Sequence, residues 1–403
     1  MNHRLSTRIA PCFCIAAFLV GCGDDEPIPP GGVSCNEVID AGDSGSTLTS
    51  ALGQAQSGDC VVAETFTFQG SFTVKAGVKL VAGEGATPTI EGSPDQVAVT
   101  VNGDPGSLVQ GFTIHGGSIG VLVVGWQGAA SSLSINAASK AGVAAFQDVA
   151  LGGPDTMPAD GIALSDVDIA GNATGLWASN VRLSLQGGAI HDNEAQTLTG
   201  GYGLVAVGGT QLTANGTVIE NNSYGVVIDG DLGTTAHLTG LQVLSNQERG
   251  VWAQKLAGTI SAPALTLDGP TLIDQNNLTG FGALQSRGII IIGGKISGTQ
   301  KKPIVTDIGS TEEVGDGFGL FAGTGDVKLD GVTLENNQRS QGLVDQGEAG
   351  IIIIGGKVTA TGDQHKVVVQ NTTATVDVPA ADLSTEVTLP VSAPEVAIGQ
   401  VVQ

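Results

Sequence analysis

From about residue 60 onward the chain alternates short aliphatic bursts with polar, glycine-punctuated turns and sustains no helical period. One phrase recurs: an aliphatic residue, two or three polar residues rich in Asn, a spacer, then Gly opening an aliphatic run. It reads "TIHGGSIGVLVVG", "VDIAGNATGLWAS", "TVIENNSYGVVID" and "LQVLSNQERGVWAQ". Such a pattern predicts many short strands joined by tight turns. The opening glycines are Gly120, Gly142, Gly175, Gly203, Gly225, Gly250, Gly288, Gly319 and Gly350, spaced 22 to 38 residues apart. One short strand cannot bury its inner face alone, but stacked copies form a continuous core.

Aligned on those glycines, the first following residue runs Val121, Val143, Leu176, Leu204, Val226, Val251, Ile289, Leu320, Ile351. The third is equally apolar, so strand alternation places both columns inside. The second position should face out, yet it includes Leu122, Trp177, Val205, Trp252, Ile290, Phe321 and Ile352. On this alignment the octapeptide "GIIIIGGK", present at Gly288–Lys295 and Gly350–Lys357, lies in the same outward apolar stripe two coils apart. The stripe is either covered, by the C-terminal tail, a loop or a second subunit, or open as a ligand groove. In the open case Trp177 and Trp252, three coils or about 14 Å apart, would stack on sugar rings with Phe321 beside them.

The repeated phrase resembles the right-handed parallel β-helix of the pectin-lyase-like superfamily, over roughly residues 60–375. The resemblance implies an all-β solenoid of about ten or more coils. It also implies that Asn172, Asn193, Asn222, Asn276 and Asn337 form a ladder of stacked carboxamides, with Asn tolerating a left-handed backbone. In "STLTSALGQAQ" the residues Leu48, Ala51, Leu52 and Ala55 share one helical face. A short amphipathic helix there would cap the first coil within an N-terminal cap, residues 35–59. Residues 376–403 lose the phrase and gain Pro379, Pro390 and Pro394, which reads as a C-terminal cap or a tail along the side.

Residues 1–21 carry Arg4 and Arg8 before a short apolar run that ends in "LVGC". This resembles the lipobox of bacterial lipoproteins, which implies a signal peptide cleaved before Cys22 and acylation of that cysteine. The acidic, Pro- and Gly-rich residues that follow, up to residue 34, read as a flexible tether. Gly23 after the cysteine points to the outer membrane. The expected location is therefore the bacterial cell envelope, with the membrane as partner through the lipid anchor. Cys35 and Cys60 then remain as a pair, and in an exported chain they are expected to form a disulfide.

The formal charge is −23. Without the two leader arginines it becomes −25, which argues against a nucleic-acid partner, since phosphate neutralisation needs clustered Lys and Arg. Candidate chemistry is sparse. "IHDNE" places His191, Asp192 and Glu194 together, and Glu220 holds the matching turn position one coil later; a histidine acid/base supported by carboxylates is the resulting catalytic candidate. Asp229 with Asp231, and Glu312 and Glu313 with Asp316, are candidate Ca²⁺ ligands, although no stretch makes a full calcium loop. Lys295, Lys301, Lys302 and Lys357 form a basic patch that would receive an anion or balance nearby acids. The Asn-Thr-Asp, Gly-His-Gly and Arg-Ile-Lys signatures implied by related β-helix enzymes are missing. The expectation is therefore a binding or scaffolding module, for surface polysaccharide or through self-association. The alternative is a polysaccharide lyase or hydrolase with a non-standard site.

Overall fold

A computed structural model describes residues 32–147, 157, 159–194, 200–305, 311–384, 387–391, 393–398 and 401. Cys22 and the proposed leader and tether up to residue 31 lie outside the described residues. The chain winds as a right-handed parallel β-helix. Each coil lays one strand in each of three parallel sheets, of 14, 12 and 12 strands, here the first, second and third sheets in the order the chain meets them, and Lys302–Val305 adds one antiparallel strand at the side of the third. One coil shows the plan. Arg182–Gln186 lies in the first sheet, Ala189–His191 in the second and Tyr202–Val207 in the third, after which Gln211–Asn215 returns to the first.

Alternation explains the core. First-sheet strands turn in pairs such as Leu183/Leu185, Leu212/Ala214 and Ile289/Ile291. Three-residue strands of the second sheet turn in one residue each, including Ile169, Ile190, Ile219 and Ile273. The third sheet contributes Leu176/Ala178, Leu204/Ala206 and Val251/Ala253. All are essentially buried and join one continuous core. At the start, the helix Gly45–Gln54 is set by a capping box between Ser44 and Thr47, and it buries Leu48, Ala51 and Leu52 over the open end. Ala55 just beyond it is buried too, so the expected face is the observed one. Val38–Asp40 before it already pairs with Cys60–Ala63, and the Cys35–Cys60 disulfide ties the two segments.

The Asn column is a ladder from Asn172 to Asn276, whereas Asn337 stands apart from it and donates to Gln341 Oε1 at 2.8 Å. Asn172 Nδ2 donates to Asn193 Oδ1 (3.1 Å), Asn193 to Asn222 (2.8 Å), Asn222 to Asn246 (3.2 Å) and Asn246 to Asn276 (2.8 Å). Asn246 belongs to it although "VLSNQ" hid it among other polar residues. The left-handed backbone falls one position earlier than expected, at Asp192, Asn221, Ser245 and Gln275, and not at the ladder Asn. The carboxamides are there for their hydrogen bonds.

Two readings need correction. The isoleucine strands Arg287–Ile292 and Ile351–Ile354 belong to the first sheet, separated by Gly325–Asp330, and do not continue the stripe of Trp177 and Trp252. The third-sheet column actually runs Trp177, Val205, Val227, Trp252, Gly282, Gly319, Leu343 and Val368. Nor is that stripe open. The C-terminal segment crosses it, packing Leu389, Val396 and Val401 on Trp177, Val205, Trp252 and Phe321. Trp252 is fully buried and Trp177 is 7 % exposed, so they are not stacking platforms for a ligand in this state, and Phe321 is equally covered. Of the two alternatives, coverage by the tail is the observed one.

Candidate functional site

With the third sheet sealed, the outer faces of the first and second sheets carry the exposed chemistry. On the second, His191 and Glu220 are register partners on neighbouring strands, as their turn positions imply. Yet the imidazole bonds elsewhere: Nε2 meets Asp168 Oδ1 at 2.9 Å and Nδ1 meets Asp192 Oδ2 at 2.7 Å. Partial burial pushes its pKa down, but hydrogen bonds to Asp192 and Asp168 outweigh this and leave it raised. Both ring nitrogens therefore point at carboxylate acceptors, which favours an imidazolium clip between two coils over a proton acceptor. Glu194 Oε1 accepts from Gln247 Nε2, two coils further on, at 3.5 Å.

The basic patch is neutralised along the same sheet. Glu335 sits between Lys295 (2.8 Å) and Lys357 (3.3 Å), and hydrogen bonds from these lysines hold its carboxyl below the usual range. Lys302 pairs with Glu248, and Lys301 with Glu313 at 3.7 Å. The candidate calcium carboxylates are engaged as well. Asp316 is fully buried against the Arg339 guanidinium and the Ser340 hydroxyl, remote in role from exposed Glu313. The side chain of Glu312 is not described. Asp229 accepts from Gln254 Nε2 at 2.8 Å, and Asp231 lies 3.7 Å from Lys255. No group of three or more His, Cys, Asp or Glu is placed to share a metal ion among the described residues.

The first sheet presents a different surface. Successive strands bring Ser184, Thr213, His237 and Thr266 into one outward column, and Gln186, Asn215, Thr239 and Asp268 into the next. Arg182, Gln211 and Thr235 align at the strand starts. A cleft of about 280 Å³ is lined by Arg182, Gln211, Thr213, Thr235, His237 and Thr266, with Pro263 beside them. Its polar groups are ordered by one another. Arg182 directs Nε and Nη2 to Gln211 Oε1 (3.0 and 2.7 Å) and Nη1 to the Ala159 carbonyl. His237 Nε2 meets Asp268 Oδ2 at 2.9 Å, while the Thr239 hydroxyl donates to Asp268 Oδ1 at 2.7 Å. Partial burial pushes the Asp268 carboxyl up, but the bonds from His237 and Thr239 prevail and leave it below normal. A second cleft of about 390 Å³ lies on earlier coils of the same sheet, lined by Lys79, Ser107, Gln127 and Asp160.

None of these residues stood out in the sequence. His237 in "TTAHLTG" sits in a strand whose alternation (Ala236 and Leu238 inward) does put it outside. What was missing was the register, which aligns it with Thr213 and Thr266.

No family model matches the chain, and no curated protein sequence matches it. Solved structures do share its fold. One is the periplasmic alginate epimerase AlgG, solved as a point mutant (11 % identity, TM-score 0.52, covering 85 % of this chain and 82 % of that one). Another is the catalytic domain of a GH87 α-1,3-glucanase in complex with tetrasaccharides (10 % identity, TM-score 0.50, covering 91 % and 70 %). At these identities the likeness shows the fold alone, a right-handed parallel β-helix.

Proposed function

We propose that the chain binds polysaccharide along the outer face of its first sheet. The observation that carries this reading is the run of hydroxyl, amide, guanidinium and imidazole groups over four consecutive strands in an open cleft. Four strands span about 14 Å, the reach of a short oligosaccharide. Sugars are recognised by convergent donors and acceptors of this kind, held in place before binding. Two proteins of the same fold act on glycans by their names, an alginate epimerase and an α-1,3-glucanase, which supports a polysaccharide ligand. The leader-like sequence ending at Cys22 adds the second half of the proposal: a lipoprotein that holds glycan at the cell envelope.

A second reading has its own observation. The His237–Asp268 pair, oriented by Thr239, is a candidate acid/base pair at the edge of the same cleft, which His237 lines. Under it the chain is a polysaccharide lyase or hydrolase.

One experiment addresses both. The soluble chain Gly23–Gln403 is passed over immobilised neutral and acidic polysaccharides, with and without Ca²⁺, and the eluates are searched by mass spectrometry for shortened or unsaturated products. Retention without product, weakened in Gln211→Ala and Thr213→Ala, is expected. Product that vanishes in His237→Ala establishes the second reading, and neither retention nor product removes both. For the anchor, loss of radiolabelled fatty acid in Cys22→Ser is the expected result.

A further inference from the structure

The C-terminal segment crosses the strands of the third sheet and so cannot join their hydrogen-bond ladder. Its backbone groups must find side-chain partners instead. They do so in a repeated manner. Gln254 accepts from the Val396 amide (2.9 Å) and donates to the Val396 carbonyl (3.1 Å). Gln370 does the same for Leu389, at 2.8 and 2.7 Å. Arg249 donates to the Pro394 carbonyl (3.3 Å) and Arg339 to that of Pro390 (2.7 Å), while the Tyr202 hydroxyl donates to the Ala397 carbonyl.

This is how an extended peptide is recognised: main-chain clamps for affinity, and apolar seats for alternate side chains. The two prolines have no amide to satisfy and hold the segment extended, which lowers the cost of ordering it. The seat is built on the solenoid alone. Trp252 lies over Gly282, where a Cβ would stand 2.4 Å from its ring, and Arg249 stacks on Trp252 at 3.6 Å from the ring centroid. The inner columns of the coils, by contrast, close without the segment. The fit is also imperfect: among the described residues the buried Trp177 Nε1 has no hydrogen-bond partner.

We propose that the outer face of the third sheet is a peptide-binding groove, and that the segment Val387–Val401 is its separable ligand, replaceable by the same segment of a second copy. The groove then has two states. In one, the chain's own tail masks Trp177 and Trp252. In the other, a neighbour's tail fills the groove and links two molecules.

The test uses the mature chain with its own tail disabled by Leu389→Asp and Val396→Asp, and a free peptide of residues 385–403. An unchanged far-UV circular dichroism spectrum is expected, with a red-shifted tryptophan emission that acrylamide quenches more strongly. Titration of the peptide should restore the blue emission, saturating at one peptide per chain, and a scrambled peptide should not. A milder variant, Gln254→Leu with Gln370→Leu, is run beside it. Loss of the β signal in both variants would make the segment an integral part of the fold and overturn the proposal. So would emission that never shifts, or a peptide that never binds.

Discussion

Asn246 and Asn276, in the same turn of successive coils, are joined by a 2.8 Å carboxamide hydrogen bond, and the ladder they continue stops one coil later. There the position belongs to Thr299, whose buried hydroxyl has no partner among the described residues. Beyond it the pattern resumes, with Thr299 N–H donating to Asn337 Oδ1 at 3.1 Å. Elsewhere each ladder Oδ1 also receives the backbone amide of the Asn before it, as in Asn222 N–H to Asn246 Oδ1 at 3.0 Å. Thr299→Asn should therefore extend the ladder in both directions. A gain of about 1 kcal/mol is expected, read as a raised urea midpoint. Asn222→Ala, which strands donors of Asn193, should cost about 3 kcal/mol.

His191 and Asp268 predict opposite pH windows. The folded pKa of His191 is raised, so its stabilisation is complete below the ordinary histidine value and is lost as pH rises through the folded one. Asp268 has a lowered folded pKa, so the stabilisation from its bonds to His237 and Thr239 is present above the ordinary carboxylate value and disappears as pH falls through the folded one. Unfolding curves between mildly acidic and alkaline pH should show wild type losing more stability on the alkaline side than His191→Gln. On the acid side, Asp268→Asn should lose less than wild type.

The coil phrase, the capping helix, the ladder and the disulfide were legible in the sequence because each leaves a local mark. The sheet assignment of the isoleucine strands was not, because one letter serves three physical ends. Gly175, Gly203 and Gly225 are glycines because a Cβ would stand 2.4–2.7 Å from the glycine carbonyl of the next coil and 2.4–2.8 Å from the inward Ile190, Ile219 or Val243, with the ladder nitrogens of Asn193, Asn222 and Asn246 hardly farther at 2.8–2.9 Å. Gly288 and Gly350 are glycines because φ is +73° and +86° there. Gly319 leaves room for the Phe321 ring, which a Cβ would meet at 2.3 Å. Aligning on the letter merged two sheets. Aligning on the Asn instead places Gly280 and Gly317 in the column with Gly250. The cleft residues were hidden for a related reason: Thr213, His237 and Thr266 meet through register alone.

The disulfide should matter locally. Cys35 and Cys60 close a loop across the capping helix, with a separation of 25 residues. On the chain-entropy view such a loop is worth about 3 kcal/mol. Because coils contact mainly their neighbours, that stabilisation belongs first to the cap and opening coils. Cys35→Ser with Cys60→Ser should speed amide exchange in Leu48, Leu52 and Val61 while leaving Ile219 and Val243 nearly unchanged. Uniform acceleration along the whole solenoid would contradict this.

Gly282 tests how closely the third-sheet groove is fitted. Its missing Cβ leaves room for the Trp252 indole, which in turn lies 5.8 Å, centroid to centroid, from Phe321 and carries the Gln254 carboxamide on its Nε1 at 2.9 Å. Gly282→Ala therefore pushes a fully buried aromatic ring, at a cost of about 1–3 kcal/mol. Displacing the indole moves Gln254, and with it both hydrogen bonds to Val396. The expected outcome is a lowered unfolding midpoint together with faster proteolysis after residue 384, while Gly53→Ala, in the capping helix with no heavy atom within 4 Å of the added carbon, shows neither. If Gly282→Ala lowers the midpoint but the tail stays as resistant as in wild type, the indole and the clamp are not coupled.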